Sequence, residues 1–315
     1  MSLSAPLQTE EVDCYYCGSR DRHPLLVAED DLTGKPGRFP FVRCTHCGLA
    51  YQAPRLPVVG IKAYYDDEYI AHRKRHDWGM LAGMVRRAMD RLDSSKIEIV
   101  RRYVDLAAGG VVLDVGCGAG TFLTTVRRLV ETQVIGVDFI DLSHLPGFDR
   151  IEFHCGLFYD LDVGRGRFDL ITMWHFLEHD YDPTRSLRHA HDALKPNGRL
   201  VIEVPRLDSV SYRLYRERWP GLQAPQHTVL FSKEHLLRHV AKAGLMVEDY
   251  LPYGAYPAYF YLFAGAAFKV LRGAGLDLRR VALPYFLGRA LLSPLLLFER
   301  RLNLAMQTVV CRRTP

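Results

Sequence analysis

The sequence predicts an α/β protein whose mostly parallel sheet is covered by helices on both faces. Between residues 111 and 250, short apolar runs alternate with segments of helical periodicity, a pattern typical of repeated strand–helix units. The apolar runs are 111–115, 133–138, 168–174, 199–205 and 245–250, and the helical segments are 121–131, 183–194 and 233–243. Asp182 and Ser232 are natural helix caps, and Gly244 is a natural stop.

Four cysteines near the N-terminus form two Cys-x-x-Cys pairs, Cys14 with Cys17 and Cys44 with Cys47. A glycine follows each pair, so each can form a tight knuckle that points two thiolates at one ion. We expect a closed four-cysteine site that holds a structural Zn²⁺, in a zinc ribbon spanning residues 1–57. The long spacer predicts an extended loop near residues 30–37. Redox-active pairs or disulfides are the competing interpretations.

Residues 58–108 are predicted to form a helical lid or linker. In order, this segment holds three tyrosines (Tyr64, Tyr65 and Tyr69), a basic run (72–76) and two helical patterns (78–92 and 96–106). We expect Ser94 or Ser95 to cap the second helix and Gly109 to follow its end. The basic run is most simply a solvated helix start, with phosphate binding as the alternative. The tyrosines either cover a ligand or pack between the zinc module and the core.

A glycine-rich turn follows the first strand of the core. It contains Asp114, Gly116, Cys117, Gly118 and Gly120. Glycines let a ligand approach the backbone and allow the positive φ angles of a tight strand-to-helix turn, so this turn can form the floor of a nucleotide site. The next strand ends in Asp138, whose carboxylate can accept hydrogen bonds from both hydroxyls of a ribose. The glycine spacing fits neither the dinucleotide pattern nor the P-loop.

The pattern Asp-x-Gly-x-Gly-x-Gly resembles the first motif of class I S-adenosylmethionine (SAM) dependent methyltransferases. The resemblance continues through 151–158, 168–174 and the Leu-Lys-Pro-x-Gly segment at 194–198. It implies a Rossmann-like sheet of seven strands with the last strand antiparallel, and SAM as cofactor. The SAM-binding residues that it implies are Asp114, Gly116, Cys117, Gly118, Gly120, Asp138, Phe139, Leu157, Phe158, Trp174 and Tyr65. Leu157 stands where many relatives carry an acid that binds adenine, and Asp160 or backbone groups are its candidate replacements.

Methyl transfer to an oxygen requires a base, and four residues are candidates for that chemistry: His175, Glu178, His179 and His227. A histidine that titrates near neutrality suits the role. The segment 174–183 resembles that of ubiquinone-pathway and related small-molecule methyltransferases, and 223–232 resembles the stretch that closes over their substrate. For His179, a helix-start histidine bonded to backbone is the alternative, whereas His227 lies in a polar, proline-bounded loop.

Residues 253–302 interrupt the last two strands with very apolar sequence. The core is therefore expected to comprise 109–252 and 303–315, with the seventh strand at 305–312. Four prolines, Arg289 and an arginine-bearing turn argue against spanning helices. We expect a helical pair that makes peripheral contact with a membrane or forms a homodimer, and packing on the protein's own sheet is the alternative.

A formal charge of +5 neither demands nor excludes an anionic partner. Charges nearly balance within residues 13–57, which argues against a nucleic-acid partner for the zinc module. Reduced cysteines and the lack of a secretory pattern predict a cytoplasmic enzyme, with the inner membrane as a peripheral site. The leading hypothesis is methyl transfer to a small or lipid-linked acceptor, with oxygen as the accepting atom. Nucleotide-sugar C-methylation, RNA base methylation and a non-enzymatic scaffold are the alternatives.

Overall fold

The computed structural model describes residues 7–65, 82–106, 109–271, 275–296 and 298–314. Tyr69 and the basic run 72–76 lie outside these residues. The strands are β1 (Arg22–Ala28), β2 (Phe39–Cys44), β3 (Ala50–Gln52), β4 (Val111–Val115), β5 (Gln133–Asp138), β6 (Glu152–Cys155), β7 (Phe168–Trp174), β8 (Leu194–Pro205), β9 (Val229–Leu230), β10 (Leu245–Leu251) and β11 (Met306–Arg313). The helices are α1 (Val58–Ile61), α2 (Ala82–Val100), α3 (Thr121–Leu129), α4 (Pro183–Ala193), α5 (Val210–Tyr215), α6 (Lys233–Lys242), α7 (Ala258–Leu271), α8 (Leu278–Leu291) and α9 (Ser293–Leu296).

The core is a seven-stranded sheet in the order β10-β11-β8-β7-β4-β5-β6. Pairs from β8 through β6 are parallel, whereas β11 runs antiparallel to both β8 and β10. The central strands β4 and β7 are almost continuously buried, as expected for a sheet with helices on both faces. The predicted fold, including the antiparallel last strand, is confirmed.

The three helices predicted in the core are present, and the caps are those expected. Asp182 accepts from the Arg185 N–H at the start of α4, and Ser232 accepts from the His235 N–H at the start of α6. Gly244, with φ of +80°, follows α6. These caps fix where the helices begin, and thereby the lengths of the loops at the carboxyl edge of the sheet.

The prediction of two helices before the core was wrong. α2 is a single helix that ends at Val100, well before Gly109. The Ser94 and Ser95 hydroxyls donate to carbonyl oxygens four residues earlier, at 2.8 and 2.9 Å, instead of capping a new helix. A serine that bonds back into its own helix in this way does not interrupt it.

The N-terminal module and the core share a sheet. The order β1-β2-β3-β9 places the two-residue strand β9, which comes from the core, against β3 of the cysteine module. The Gln52 N–H also donates to the Thr228 carbonyl at 2.8 Å. The loop predicted at 30–37 lies between β1 and β2. The module is therefore attached directly to the chain segment that contains His227.

The insertion forms α7, α8 and α9, with β10 before it and β11 after it. Helix α7 packs on α5 at Gly265, where an added Cβ would lie 2.3 Å from the Tyr215 ring. Among the described residues, the helices are too short or too polar to cross a bilayer.

Candidate functional site

The turn after β4 has the geometry that its glycines predict. Gly116, Gly118 and Gly120 have φ angles of +74°, +50° and +67°. A Cβ added to Gly116 or Gly120 would lie 3.0 Å from a neighbouring side chain, Phe176 and Ile151 respectively, whereas a Cβ on Gly118 would meet no atom within 4 Å. The middle of the turn therefore faces open space that side chains do not fill.

Asp138 lies beside this open space, at the end of β5. One of its carboxylate oxygens accepts from the Gly118 N–H and the other from the Ile140 N–H, both at 3.1 Å. These bonds hold the carboxylate against the glycine turn, and a carboxylate oxygen can accept more than one hydrogen bond. The next residue, Phe139, packs edge-on against Tyr65 at 4.9 Å between ring centroids. A carboxylate and an aromatic pair thus flank the open space.

Asp114 is buried beneath the turn. It accepts a 2.6 Å hydrogen bond from the Thr172 hydroxyl, and the Lys96 ammonium supplies a counter-charge. Burial raises the pKa of Asp114 to about 7, although Lys96 and Thr172 favour the charged form. The same Lys96 ammonium lies 5.6 Å from the ring centroid of Trp174. Asp114 is thus a buried, hydrogen-bonded group that joins the end of β4 to β7 just before the glycine turn.

The raised pKa of Asp114 predicts a pH dependence of stability. Between about pH 4 and pH 7, the unfolded chain has lost the Asp114 proton while the folded chain still holds it, so the free energy of unfolding falls as pH rises. In Asp114→Asn this contribution is absent. We expect the wild-type stability, relative to the variant, to drop by about 2–3 kcal/mol between pH 5 and pH 7. Urea denaturation of both proteins at several pH values measures this difference. Free energies of unfolding that change in parallel with pH in the wild type and the variant would contradict the prediction.

His175 lies between two carboxylates at the end of β7. Its Nδ1 is 3.2 Å from Glu178 and its Nε2 is 3.3 Å from Glu203. Burial alone would lower the pKa of His175, but hydrogen bonds to Glu178 and Glu203 raise it to about 9. The backbone φ of +54° is strained for a histidine, and such strain is typical of functional sites. At neutral pH this ring is therefore an imidazolium and has no lone pair for a base.

His179 and His227 lie in contact, with ring centroids 4.4 Å apart. The His179 Nδ1 is 2.8 Å from the Tyr65 hydroxyl and 3.1 Å from the Gln226 carbonyl, and the His227 Nδ1 is 2.8 Å from the Gly221 carbonyl. Burial lowers the pKa of both rings, that of His227 well below its usual value. Both rings are consequently neutral at physiological pH. With Glu178, they form a group whose ligand-type atoms lie within 4.8 Å of one another.

On the side where the family places adenine, Leu157 is half-buried and Phe158 is buried beneath the sheet edge. Asp160, the predicted substitute for the missing acid, forms an exposed ion pair with Arg185 at 2.9 Å. Trp174 is buried against Phe122, with 5.7 Å between ring centroids, and its indole N–H has no hydrogen-bond partner among the described residues.

The four predicted metal ligands converge. The sulfur atoms of Cys14 and Cys47 are 3.4 Å apart, those of Cys17 and Cys44 are 3.5 Å apart, and all four lie within 4.8 Å of one another. Burial opposes ionisation of Cys44, but backbone N–H groups of residues 46 and 47 lower its pKa to about 7. Each knuckle closes with the same backbone bond, from the following glycine to the first cysteine. This donor set fits a tetrahedral zinc ion.

One residue of the site was missed from the sequence. Glu203 is fully buried in β8, where it binds His175 and accepts from the Ala255 and Tyr256 N–H groups, the latter at 3.0 Å. It therefore ties the start of the insertion to the end of β7. The sequence did contain a signal, since Glu203 is the only acid in the apolar run 200–205. Burying an unpaired carboxylate costs free energy, so an acid in a buried strand indicates a partner and a specific role.

Comparison with known proteins agrees with this geometry. The sequence matches the family model of a methyltransferase domain over residues 86–250, just over half of the chain. The ubiquinone biosynthesis O-methyltransferase of Nitrobacter winogradskyi is 30% identical over 175 residues, which cover 49% of this chain and 65% of that protein. That of Bradyrhizobium diazoefficiens is 33% identical over 171 residues, with the same shares covered. The chain thus covers just under two thirds of the length of these relatives.

Among solved structures, a protein assigned as a sarcosine dimethylglycine methyltransferase from Galdieria sulphuraria matches with a TM-score of 0.51. It is 15% identical, and the match covers 73% of this chain and 88% of that one. At this identity the likeness establishes the fold alone. With the family match over the core and the glycine motif at its centre, the chain belongs to the methyltransferase domain family, in the class I SAM-dependent group.

Proposed function

We propose that this protein is a SAM-dependent methyltransferase that acts on a small or lipid-linked acceptor, with oxygen as the accepting atom. The observation that carries the proposal is the open space at Gly118, bordered by the Asp138 carboxylate. The relatives named as O-methyltransferases support oxygen as the acceptor atom. Sugar C-methylation is the second candidate, favoured by the four-cysteine cluster at the start of the chain.

The residues around the turn would hold the cofactor. Asp138 would accept from the ribose hydroxyls, Phe139 and Tyr65 would border the adenosine, and Leu157 with Phe158 would contact the adenine. Asp114, Gly116, Cys117, Gly120 and Trp174 would complete the cofactor site. Bound SAM would supply an electrophilic methyl group: a lone pair of the acceptor would form the new bond to the methyl carbon, and the electron pair of the broken C–S bond would stay on sulfur. The chain's task is then to orient an acceptor in line with that bond.

Glu178, His179 and His227 would form the acceptor side. Glu178 and His179 follow β7, at the same carboxyl edge as Asp138, and His227 lies beside His179 with 4.4 Å between ring centroids. A chain of contacts connects the two sides: Phe139 packs on Tyr65, and the Tyr65 hydroxyl is 2.8 Å from His179. Because His175 is charged at neutral pH, it would position Glu178 and orient polar substrate groups rather than remove a proton.

Methyl transfer is tested with radiolabelled SAM and fractionated lipid and metabolite extracts. We expect label to enter a fraction containing phenolic, enolic or sugar hydroxyls in the presence of the wild-type chain, and not with Asp138→Ala. Mass spectrometry of the labelled product identifies the atom that carries the methyl group. A product methylated on carbon would select the sugar alternative, and no labelled product from any fraction would contradict the proposal.

The insertion would bring the protein to an anionic membrane surface. Leu283, Leu287 and Leu291 form a stripe at helical spacing on α8 and are 52%, 62% and 80% exposed. Residues 253–302 contain seven basic and two acidic residues, which accounts for the whole formal charge of +5. An exposed apolar stripe within a basic segment is typical of a helix that lies on anionic lipid. A homodimer formed through the same surface is the alternative.

Replacing these three leucines with serine should therefore abolish flotation with vesicles of phosphatidylglycerol and phosphatidylethanolamine. Each buried leucine contributes about 1.5–3 kcal/mol of transfer free energy, so losing three of them removes most of the apolar binding energy. The matched control is a serine at Val59, which is 84% exposed but lies outside the insertion. Failure of the wild-type chain to float, together with a stable dimer on light scattering, would favour the homodimer.

A further inference from the structure

The N-terminal cysteine module contacts both chain segments that form the acceptor side. One segment is the loop after β7, which carries Glu178 and His179, and the other is the loop before β9, which carries His227. Strand β9 pairs with β3 of the module, so backbone bonds attach the second segment to it. The first segment meets the module at Tyr181, just before α4 begins. The module therefore borders the site on the side where an acceptor would bind.

Arg55, which follows β3, is the residue through which the module holds Tyr181. Its guanidinium lies 4.0 Å from the centroid of the Tyr181 ring, and its Nη1 donates to the Tyr181 carbonyl at 3.1 Å. The same guanidinium donates to the Tyr15 hydroxyl at 2.6 Å and to the Glu10 carboxylate at 2.7 Å. The Tyr181 hydroxyl donates to the Leu56 carbonyl at 2.7 Å. The ring, hydroxyl and backbone of Tyr181 are thus all bound to the module.

The surroundings of Arg55 allow it one orientation. Its side chain is only 11% exposed. Burial alone would lower the pKa of Arg55, but its contacts with Tyr15 and Glu10 raise it above the ordinary value, so the group is a cation. A nearly buried cation needs its donors satisfied, and a guanidinium presents them in a rigid plane. With a ring against its face and acceptors along its edge, the plane is fixed, and Tyr181 is fixed with it.

Only a few backbone bonds separate Tyr181 from the acceptor side. His179 and Glu178 precede it by two and three residues. The Glu178 carbonyl accepts from the Thr228 N–H at 2.8 Å, and the Asp180 carbonyl accepts from the Thr228 hydroxyl at 2.7 Å. The loop after β7 is therefore held between the module at one end and the loop before β9 along its length.

The cofactor side is attached differently. The Gly118 N–H and the Ile140 N–H hold the Asp138 carboxylate, both at 3.1 Å. These three residues belong to the loops after β4 and β5, within the core sheet. A change at the edge of the module can consequently alter the acceptor side while the cofactor side keeps its geometry.

We propose that Arg55 is a positioning residue for methyl transfer, which fixes the loop after β7 so that Glu178 and His179 face the methyl group of bound SAM. This role rests on the proposed function. A misplacement of about 1 Å between reacting groups can slow a reaction roughly a hundredfold, whereas binding of the cofactor would not depend on this loop. The cysteine module would thus contribute to the geometry of the acceptor side without touching the acceptor.

Arg55→Gln tests the role, because it removes the cation and the planar set of donors. The assay is the transfer of label from SAM to the extract fraction that the wild-type chain labels. We expect the initial rate to fall at least about tenfold, and the affinity for SAM measured by calorimetry to stay within about twofold of the wild type.

The matched control is Arg22→Gln. Arg22 also belongs to the module and also pairs with an acid, Glu11, and its guanidinium donates to the Val12 carbonyl at 2.9 Å. Both of these partners lie within the module. The control should therefore change the rate and the affinity by less than about twofold.

Hydrogen exchange measured by NMR provides a readout that needs no acceptor. The Thr228 and Val229 N–H groups both donate to the Glu178 carbonyl and report on the acceptor side. Those of Gly118 and Ile140 report on the cofactor side. With the arginine replaced by glutamine, we expect exchange at the first pair to rise at least about tenfold and exchange at the second pair to stay unchanged. Equal acceleration at all four would mean a merely structural role and would overturn the inference.

Arg55→Lys keeps the test valid if circular dichroism shows that Arg55→Gln is unfolded. Lysine retains the charge but not the planar donors, so it should restore only part of the rate, with a loss of about threefold. A wild-type rate and exchange pattern in Arg55→Gln, or in Arg55→Lys if only that variant is folded, would overturn the inference. A wild-type chain that binds no SAM and labels no fraction would instead remove the proposed function, while hydrogen exchange would still show whether Arg55 fixes the loop.

Discussion

Asp138→Ala should weaken SAM binding by at least about a hundredfold. The wild-type carboxylate is held against the glycine turn by two backbone N–H groups, and its oxygens can accept further hydrogen bonds from two ribose hydroxyls. Hydrogen bonds to a charged acceptor contribute roughly 1.5–3 kcal/mol each, so losing two of them costs about 3–6 kcal/mol of binding free energy. Isothermal titration calorimetry measures the loss. The substitution also releases the Gly118 N–H, so part of the effect arises from a less ordered turn.

The matched control is Asp141→Ala, three residues further along the same loop. Asp141 is exposed, and its carboxylate contacts only local groups of Ser143 in the described part of the chain. Its removal should leave the affinity for SAM within about twofold of the wild type. Equal affinities of the wild-type and Asp138→Ala chains would mean that the ribose lies elsewhere.

Cys17→Ser should lower the zinc content by one equivalent per chain and destabilise the protein by more than about 3 kcal/mol. Zinc binding at a structural site contributes about 10–16 kcal/mol in small zinc modules, far beyond the effect of a typical point substitution. The consequence should extend beyond the module, because β3 pairs with β9 in the core and the Cys47 carbonyl lies 2.9 Å from His235 Nε2. Inductively coupled plasma mass spectrometry and urea denaturation measure the two effects.

Cys155→Ser is the control for the cysteine prediction. Cys155, like Cys17, is exposed, but it lies at the end of β6 and outside the cluster. Its substitution should change the free energy of unfolding by less than about 0.5 kcal/mol and leave the zinc content unchanged. If Cys17→Ser retained its zinc and its stability, the four sulfur atoms would not form a metal site.

Local patterns were sufficient to predict the core. The alternation of apolar runs and helical segments depends on neighbouring residues, and Asp182, Ser232 and Gly244 mark helix ends through bonds and angles that span only a few residues. The glycine turn is similarly local. Its positive φ angles follow from the absence of Cβ, so both its position and its conformation could be predicted.

Long-range contacts could not be predicted in this way. Strand β9 has only two residues, too few to show the alternating apolar pattern of a strand. It forms because its backbone pairs with the edge strand β3 of the cysteine module. Glu203 acquires its role only when His175 and the start of the insertion meet it from two other parts of the chain. The prediction of a helix start at Ser94 or Ser95 failed because the local pattern is ambiguous. A serine hydroxyl can cap a new helix or donate to a carbonyl oxygen within its own helix, as both do here.

A crystal structure of residues 1–315 with S-adenosylhomocysteine shows where the cofactor binds. We expect the adenosine to lie over Gly118, with both ribose hydroxyls donating to Asp138 and the sulfur directed toward Glu178, His179 and His227. Density for the compound at any other place on the sheet, or protein atoms filling the space over Gly118 at saturating ligand, would contradict it.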